Sequence, residues 1–316
     1  MNPSFDSDWK LLEQLCQVRA PSGNEAALKA FILAYVEQNQ TGWQHRPKII
    51  QGDAFQDCLI LVFGQPRTAV FAHMDSVGFT VRYQDQLVPI GSPKAESGSK
   101  LVGEDQLGPI LCELRMEQAG ENSSKQAKYK FGRGIERGTE LVYECNFQQS
   151  DDYIHSCYLD NRLGVLNALK LAETLENGIL IFSCWEEHGG GSVPYLAKFI
   201  FEEYGVSRCL ISDVTWVTDG ILHGDGAVIS LRDRNIPRRT FVNQIVALAE
   251  ESNVSYQLEV EGSGSSDARE LQLSPHPFDW CFIGTPVTDA HTPIEKVYWP
   301  DAVHMFAIYQ YLMKTL

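Results

Sequence analysis

Ile179-Leu180-Ile181-Phe182-Ser183-Cys184-Trp185-Glu186-Glu187-His188-Gly189-Gly190-Gly191 runs from an apolar segment into two adjacent acids and then into glycines. Residues 179–184 read as a buried strand, and charged side chains rarely end such a strand unless a metal, a partner or a reaction requires them. Adjacent acids can divide labour. One ligates a metal while its neighbour moves a proton, provided that other ligand-type residues stand at the ends of neighbouring strands.

Outward from this stretch, strands and helices alternate. Residues 161–175 read as a helix, 193–203 as a helix, 209–212 as a strand, 240–250 as a helix and 255–260 as a strand. A short helix follows Asp267, then a strand over 280–283 and a helix over 301–313. Towards the N-terminus, residues 9–15 have helical spacing, and Ser22-Gly23-Asn24-Glu25 reads as a capping box before a helix from Ala26. Strands follow at 58–63 and 68–72, the second running straight into His73-Met74-Asp75. The pattern predicts an α/β fold, a mainly parallel sheet flanked by helices, with ligands bound beyond the carboxyl ends of the strands.

Residues 76–156 have a different texture. Short β-like runs at 79–83, 110–114 and 140–144, with a polar link over 121–126 and no helical period, predict an inserted small all-β domain. The main domain is then residues 1–75 and 157–316.

The formal charge of −15 over 316 residues argues against a nucleic-acid or anionic-membrane partner. Arg232, Arg234, Arg238 and Arg239 form the conspicuous basic cluster, read as a solvated loop face, or as an acid-selecting pocket if it lies near the site. The 8 cysteines are scattered without a Cys-x-x-Cys pair, which suits free buried thiols in a reducing compartment. The start lacks a basic and apolar signal, and no run of about 18 apolar residues occurs, so the chain reads as cytoplasmic.

The predicted strand ends carry His73 and Asp75, then Glu186 and Glu187, then Asp213; His291 follows the strand at 280–283 after a short loop, and Asp160 opens a helix. Singly, His73 reads as a core histidine, Asp160 as a helix cap, Asp213 as a turn former and His291 as a loop residue. Together they fall on the edge where this architecture binds ligands. Two histidines and three carboxylates suit a pair of divalent ions bridged by one carboxylate. His188 adjoins the acid pair, while the remaining histidines lack this placement.

His73-Met74-Asp75-Ser76-Val77-Gly78, Leu159-Asp160-Asn161-Arg162-Leu163-Gly164, Glu186-Glu187-His188-Gly189, Asp213-Val214-Thr215 and Ala290-His291-Thr292-Pro293 together resemble the dinuclear tetrahedral and glutamyl aminopeptidases. Ala20-Pro21-Ser22-Gly23-Asn24-Glu25 is similar to that family's N-terminal signature, and the β insertion falls between the first histidine and Asp160, as in that group. The resemblance implies a zinc exopeptidase-like fold that removes the N-terminal residue of short peptides. It implies two divalent metal ions, zinc with cobalt or manganese as alternatives. Asp160 would bridge them, His73 and Asp213 would complete one site, and Glu187 and His291 the other. Glu186 would be the general base, and Asp75 would fix the His73 tautomer. Homo-oligomers, dimers or twelve-subunit cages, are the implied assembly, the insertion serving subunit contact and substrate access.

Competing readings are a metal-dependent amidase or deacylase acting on N-acylated amino acids, and a catalytically silent assembly protein. The position of the insertion weighs against the first, and the full ligand set against the second. The chain departs from the family pattern at Asn161 and Ser76, where acids are usual, in the Gly189-Gly190-Gly191 run and in Trp216-Val217-Thr218-Asp219. Gly262-Ser263-Gly264-Ser265-Ser266-Asp267 reads as a substrate-facing loop or as a link ending in a helix cap at Ser266 or Asp267.

Overall fold

The computed structural model describes residues 3–118, 125–150 and 152–316. Strands Leu59–Phe63, Ala69–His73 and Gly178–Ser183 are buried at every position. Both faces of their sheet are therefore covered, as continuous apolar runs require. They belong to an eleven-stranded sheet whose centre is parallel. Gly178–Ser183 and Arg208–Trp216 flank Ala69–His73, and Asp279–Thr288 lies outside Arg208–Trp216. The flanking strands, including Lys48–Ile50, Leu59–Phe63 and Glu295–Tyr298, pair antiparallel.

The parallel register sets the site. Ser183 pairs with His73, and Ile211 with Phe71, which brings Asp213 level with His73. Helices cover the sheet through apolar stripes at helical spacing, such as Val193, Leu196, Ala197 and Ile200 in Val193–Tyr204. A second stripe, Phe241, Val242, Ile245, Leu248 and Ala249, lies in Arg239–Ser252.

A separate six-stranded antiparallel sheet spans residues 78–143 and has its own core around Phe79, Leu101, Leu114, Leu141 and Tyr143. That core also takes in Tyr158, whose hydroxyl donates to the Tyr143 carbonyl at 3.2 Å. The inserted sheet thereby grips the entry to helix Leu159–Ala172.

Several local expectations give way to tertiary contacts. The insertion was expected to run to residue 156, but Tyr153–Ser156 pairs with the main sheet at Glu295–Tyr298 and Gln148–Ser150 pairs in turn with Tyr153–Ser156. Of the expected polar link, residues 121–124 lie outside the described residues, while Lys125 and Gln126 begin strand Lys125–Lys130. The capping box does not form: helix Ala26–Asn39 has no side-chain cap, because Ser22 Oγ donates to Asp75 and Glu25 turns into the interior. Asp213 does not follow its strand but sits within Arg208–Trp216. Strand Ala227–Arg232 had no reading in the sequence.

Helix Leu159–Ala172 is the structural keystone. Arg162 is fully buried and donates to the carbonyls of Leu15, Met74 and Val18, tying the first helix to the loop after His73. Gly164 meets strand Arg208–Trp216 so closely that a Cβ there would stand 2.2 Å from the Ser212 carbonyl oxygen and 2.4 Å from Asn161 Oδ1. Gly164→Ala is expected to destabilise the fold by about 3 kcal/mol, the upper range for overpacking a rigid contact. Urea unfolding of the variant checks this.

Candidate metal centre

The strand register and the turn into helix Leu159–Ala172 bring the predicted residues together. Non-helical backbone at Asp160 and Asn161 opens that helix and directs the Asp160 carboxylate between the two histidines. Its Oδ1 lies 3.3 Å from His73 Nε2, and its Oδ2 lies 3.2 Å from His291 Nε2. Asp213 Oδ1 is 3.5 Å from His73 Nε2, and Glu187 Oε2 is 3.2 Å from His291 Nε2. His73, Asp160 and Asp213 thus form one ligand-type group, and Asp160, Glu187 and His291 another. Glu186 Oε2 stands 3.9 Å from His73 Nε2.

Too many carboxyls meet here for two imidazoles to neutralise. Burial pushes Glu186 well above the carboxylate range, and the nearby Asp213, Asp267 and Asp75 add to this against the pull of His73. Glu187 is raised by burial and by Asp160 and Glu186. Asp160 is held below its ordinary value, because its contacts with His291 and His73 outweigh burial. Glu187 Oε1 is buried without a hydrogen-bond partner. An orphaned carboxylate oxygen beside imidazoles and further carboxylates is the donor set that divalent cations accept.

Asp75 holds the acid-pair loop more firmly than it holds His73. It accepts the backbone N–H groups of Glu186 and Glu187 at 3.0 Å each and the Ser22 hydroxyl at 2.7 Å. Its Oδ1 lies 3.4 Å from His73 Nδ1, which has no aligned hydrogen bond. Glu25 Oε1 continues this scaffold by accepting from Gly23 N and Trp185 N at 2.9 and 3.2 Å. The glycine run closes it: Gly190 N donates to the Trp185 carbonyl at 2.7 Å, with Gly189 and Gly190 at positive φ.

Two supporting residues, Glu295 and Ser92, escaped the sequence reading, and a third, Asp267, was expected there as a helix cap or loop residue. Glu295 is buried and accepts the N–H groups of Asp160 and His291 at 3.0 and 2.8 Å, and burial raises its carboxyl to about 8. Ser92, from the inserted segment, has its hydroxyl 3.0 Å and its carbonyl 3.2 Å from His291 Nδ1. Asp267 accepts from the Ser183 hydroxyl, and burial raises it to about 7. Glu295 lies four residues after His291, a spacing that marks it as a candidate; Ser92 carries no such signal. His188 Nδ1 accepts from Gly91 N at 2.9 Å, joining the acid-pair loop to the same segment.

The departures have structural reasons. Asn161 Nδ2 donates to the Ser212 carbonyl at 2.8 Å while its Oδ1 accepts from Gly164 N, and an aspartate there would set oxygen against oxygen. Ser76 Oγ donates to the Ala20 carbonyl at 3.1 Å. Ser263, Gly264 and Ser265 line the cavity over the site, together with Trp216 and Thr218, while Asp267 makes no side-chain cap. None of Arg232, Arg234, Arg238 and Arg239 lines this cavity. Arg238 pairs with Asp279, and Arg234 borders an adjoining cavity. Arg234, Arg238 and Arg239 are exposed, as a solvated loop face would be, and the cavity that Arg234 borders also reaches Glu186.

A sheet edge with two such ligand-type groups is of the kind that a metal-dependent hydrolase uses. The family model of M42 glutamyl aminopeptidases matches residues 119–308, and the chain belongs to that family; it is a metal-dependent aminopeptidase. The fold is similar to that of aminopeptidase APDkam598 from the archaeon Desulfurococcus kamchatkensis (TM-score 0.86, 20% identity, 98% of this chain and 95% of that one). It is similar to the TET aminopeptidase of Thaumarchaeota archaeon SCGC AB-539-E09 (TM-score 0.85, 16% identity, 98% and 97%). It also resembles the TET1 peptidase of Pyrococcus horikoshii, which can assemble into a tetrahedron or a large octahedral shell (TM-score 0.80, 18% identity, 98% and 100%).

Glu25 gives a pH prediction. Burial raises its carboxyl from 4.5 to about 7, so the folded state keeps a proton that the unfolded chain releases. Its stabilising contribution is present below pH 4.5 and is lost as pH rises to about 7. Glu25→Gln should flatten this decline, by ~3 kcal/mol at most. Urea unfolding of both proteins across that pH window checks the sign.

Proposed function

We propose that the chain removes the N-terminal residue of short peptides at a dinuclear centre, with Glu186 as general base. His73, Asp160 and Asp213 would hold one divalent ion and Asp160, Glu187 and His291 the other, zinc in both, with cobalt or manganese able to replace it. The observation that carries this reading is the division of Asp160, one carboxylate oxygen towards each histidine. Bound there, the ions would polarise the scissile carbonyl, acidify the attacking water and retain the free amine of the substrate.

The chain's own residues supply the rest. Glu186 accepts the proton of the attacking water and passes it to the leaving amine, and its Oε2, 3.9 Å from His73 Nε2, places it beside the ligand-type group. Asp75, Ser22 and Glu25 fix the loop that aims it. Glu295 and Ser92 orient Asp160 and His291.

The inserted sheet borders substrate access, a reading supported by Ser92 on the cavity wall, and provides the surface through which subunits form dimers or dodecamers. The compartment is the cytoplasm, which the free cysteines support. Among the described residues, no helix is long and apolar enough to cross a membrane.

Two outcomes test the chemistry. Glu186→Gln should lower kcat by about 10²–10⁴-fold while the purified protein keeps its metal content. Turnover at the parental rate would remove Glu186 from the role. Chelation should abolish hydrolysis of aminoacyl amides and zinc should restore it, with N-acetylated substrates uncut; preference for the blocked substrates would support a deacylase instead.

A further inference from the structure

The cavity of about 300 Å³ that holds the candidate ligands is also lined by Trp216, Phe282, Asp233, Glu259 and Glu261. Asp233 is 8% exposed and Glu259 3%, a depth at which a carboxylate ordinarily meets a cation. Their hydrogen-bond partners are neutral: the Thr215 hydroxyl donates to Glu259 Oε1, and Asn235 N donates to Asp233 Oδ1 at 2.5 Å, while the charge of Arg232 acts on Asp233 from a distance and is outweighed by burial. The Arg232 guanidinium donates to the Asp233 main-chain oxygen at 3.0 Å, not to the carboxylate. Among the described residues, none of the three acids forms an ion pair, and burial raises both Asp233 and Glu259.

The acids do not converge as metal ligands do; the ligand-type groups of the described residues are those around Asp160. A larger cation suits them better, an ammonium or guanidinium on an aliphatic stem. Trp216 and Phe282 offer apolar and π faces to such a stem and its charge. Because this wall belongs to the same cavity as Glu186 and Asp160, a group bound there lies on a molecule that reaches the reacting centre.

We infer that this wall receives the side chain of an N-terminal lysine or arginine, so that the preferred substrates are short peptides beginning with a basic residue. The inference rests on the aminopeptidase reading and narrows its substrate class. Asp233 and Glu259 hold the cation, and Glu261 adds a half-buried charge at the same wall.

The test compares kcat/KM of the metal-loaded full chain on lysyl, arginyl, norleucyl, leucyl and glutamyl 4-nitroanilides. Norleucine keeps the stem of lysine and lacks its ammonium, while the α-amine is common to all five. Lysine should exceed norleucine by about tenfold or more, the scale of one charge-assisted hydrogen bond in a buried setting. Glutamyl substrate should be slowest. In Asp233→Asn, Glu259→Gln and Glu261→Gln the lysine-to-norleucine ratio should fall towards one; a loss of folded protein lowers both rates and leaves the ratio intact. A parental ratio at or below one, or a ratio unchanged in all three variants, overturns the inference. Cleavage of leucyl substrate without a lysine advantage overturns this inference alone, whereas no cleavage of any substrate overturns the aminopeptidase reading beneath it.

Discussion

Carboxylates that repel one another must be held within a few ångströms at the edge of a dry sheet, and the rest of the structure serves that constraint. Asp160, Glu186, Glu187 and Asp213 meet around two imidazoles. Left to themselves, such groups would separate into water. They stay because their backbone is fixed from below by parallel strands and from behind by Arg162, whose buried guanidinium clamps three carbonyls from two segments. Further buried acids, Asp75 and Glu295, accept backbone N–H groups instead of cations and set the angles of the loops. Rigidity of the frame is what permits so much like charge at one place.

The sequence made the centre legible because parallel strands deliver their carboxyl ends to one edge. Once residues 68–72, 179–184 and 209–212 read as strands, His73, Glu187 and Asp213 had to be neighbours at one edge. Asp160 and His291 lie outside that rule, on a helix entry and a loop, and were read from the motifs around them. What stayed illegible depends on contacts between distant segments. Ser22 and Glu25 have the local spacing of a cap, yet their side chains bond Asp75 and Trp185, 53 and 160 residues away. Ser92 sits in irregular chain after strand Leu87–Ile90 with no pattern at all. Proximity in sequence says nothing about which side of a strand faces a cavity: at 232–234 the acid lines the main cavity, while Arg234 is exposed and borders the adjoining one.

The departures from the family pattern follow the same logic of donors and acceptors. Asn161 supplies an N–H where a carboxylate would face a carbonyl, and the glycines after the acid pair adopt positive φ so that the chain can fold over Trp185. Each change keeps the frame neutral or correctly paired while the charge is concentrated on the ligand-type atoms.

The contact between Ser92 and His291 spans 199 residues and crosses from the inserted segment to the far end of the main sheet. The second imidazole is therefore set from two sides, by Ser92 of the inserted segment and by Glu295 of the main sheet, so that any change in how the insertion sits reaches the ligand-type group directly.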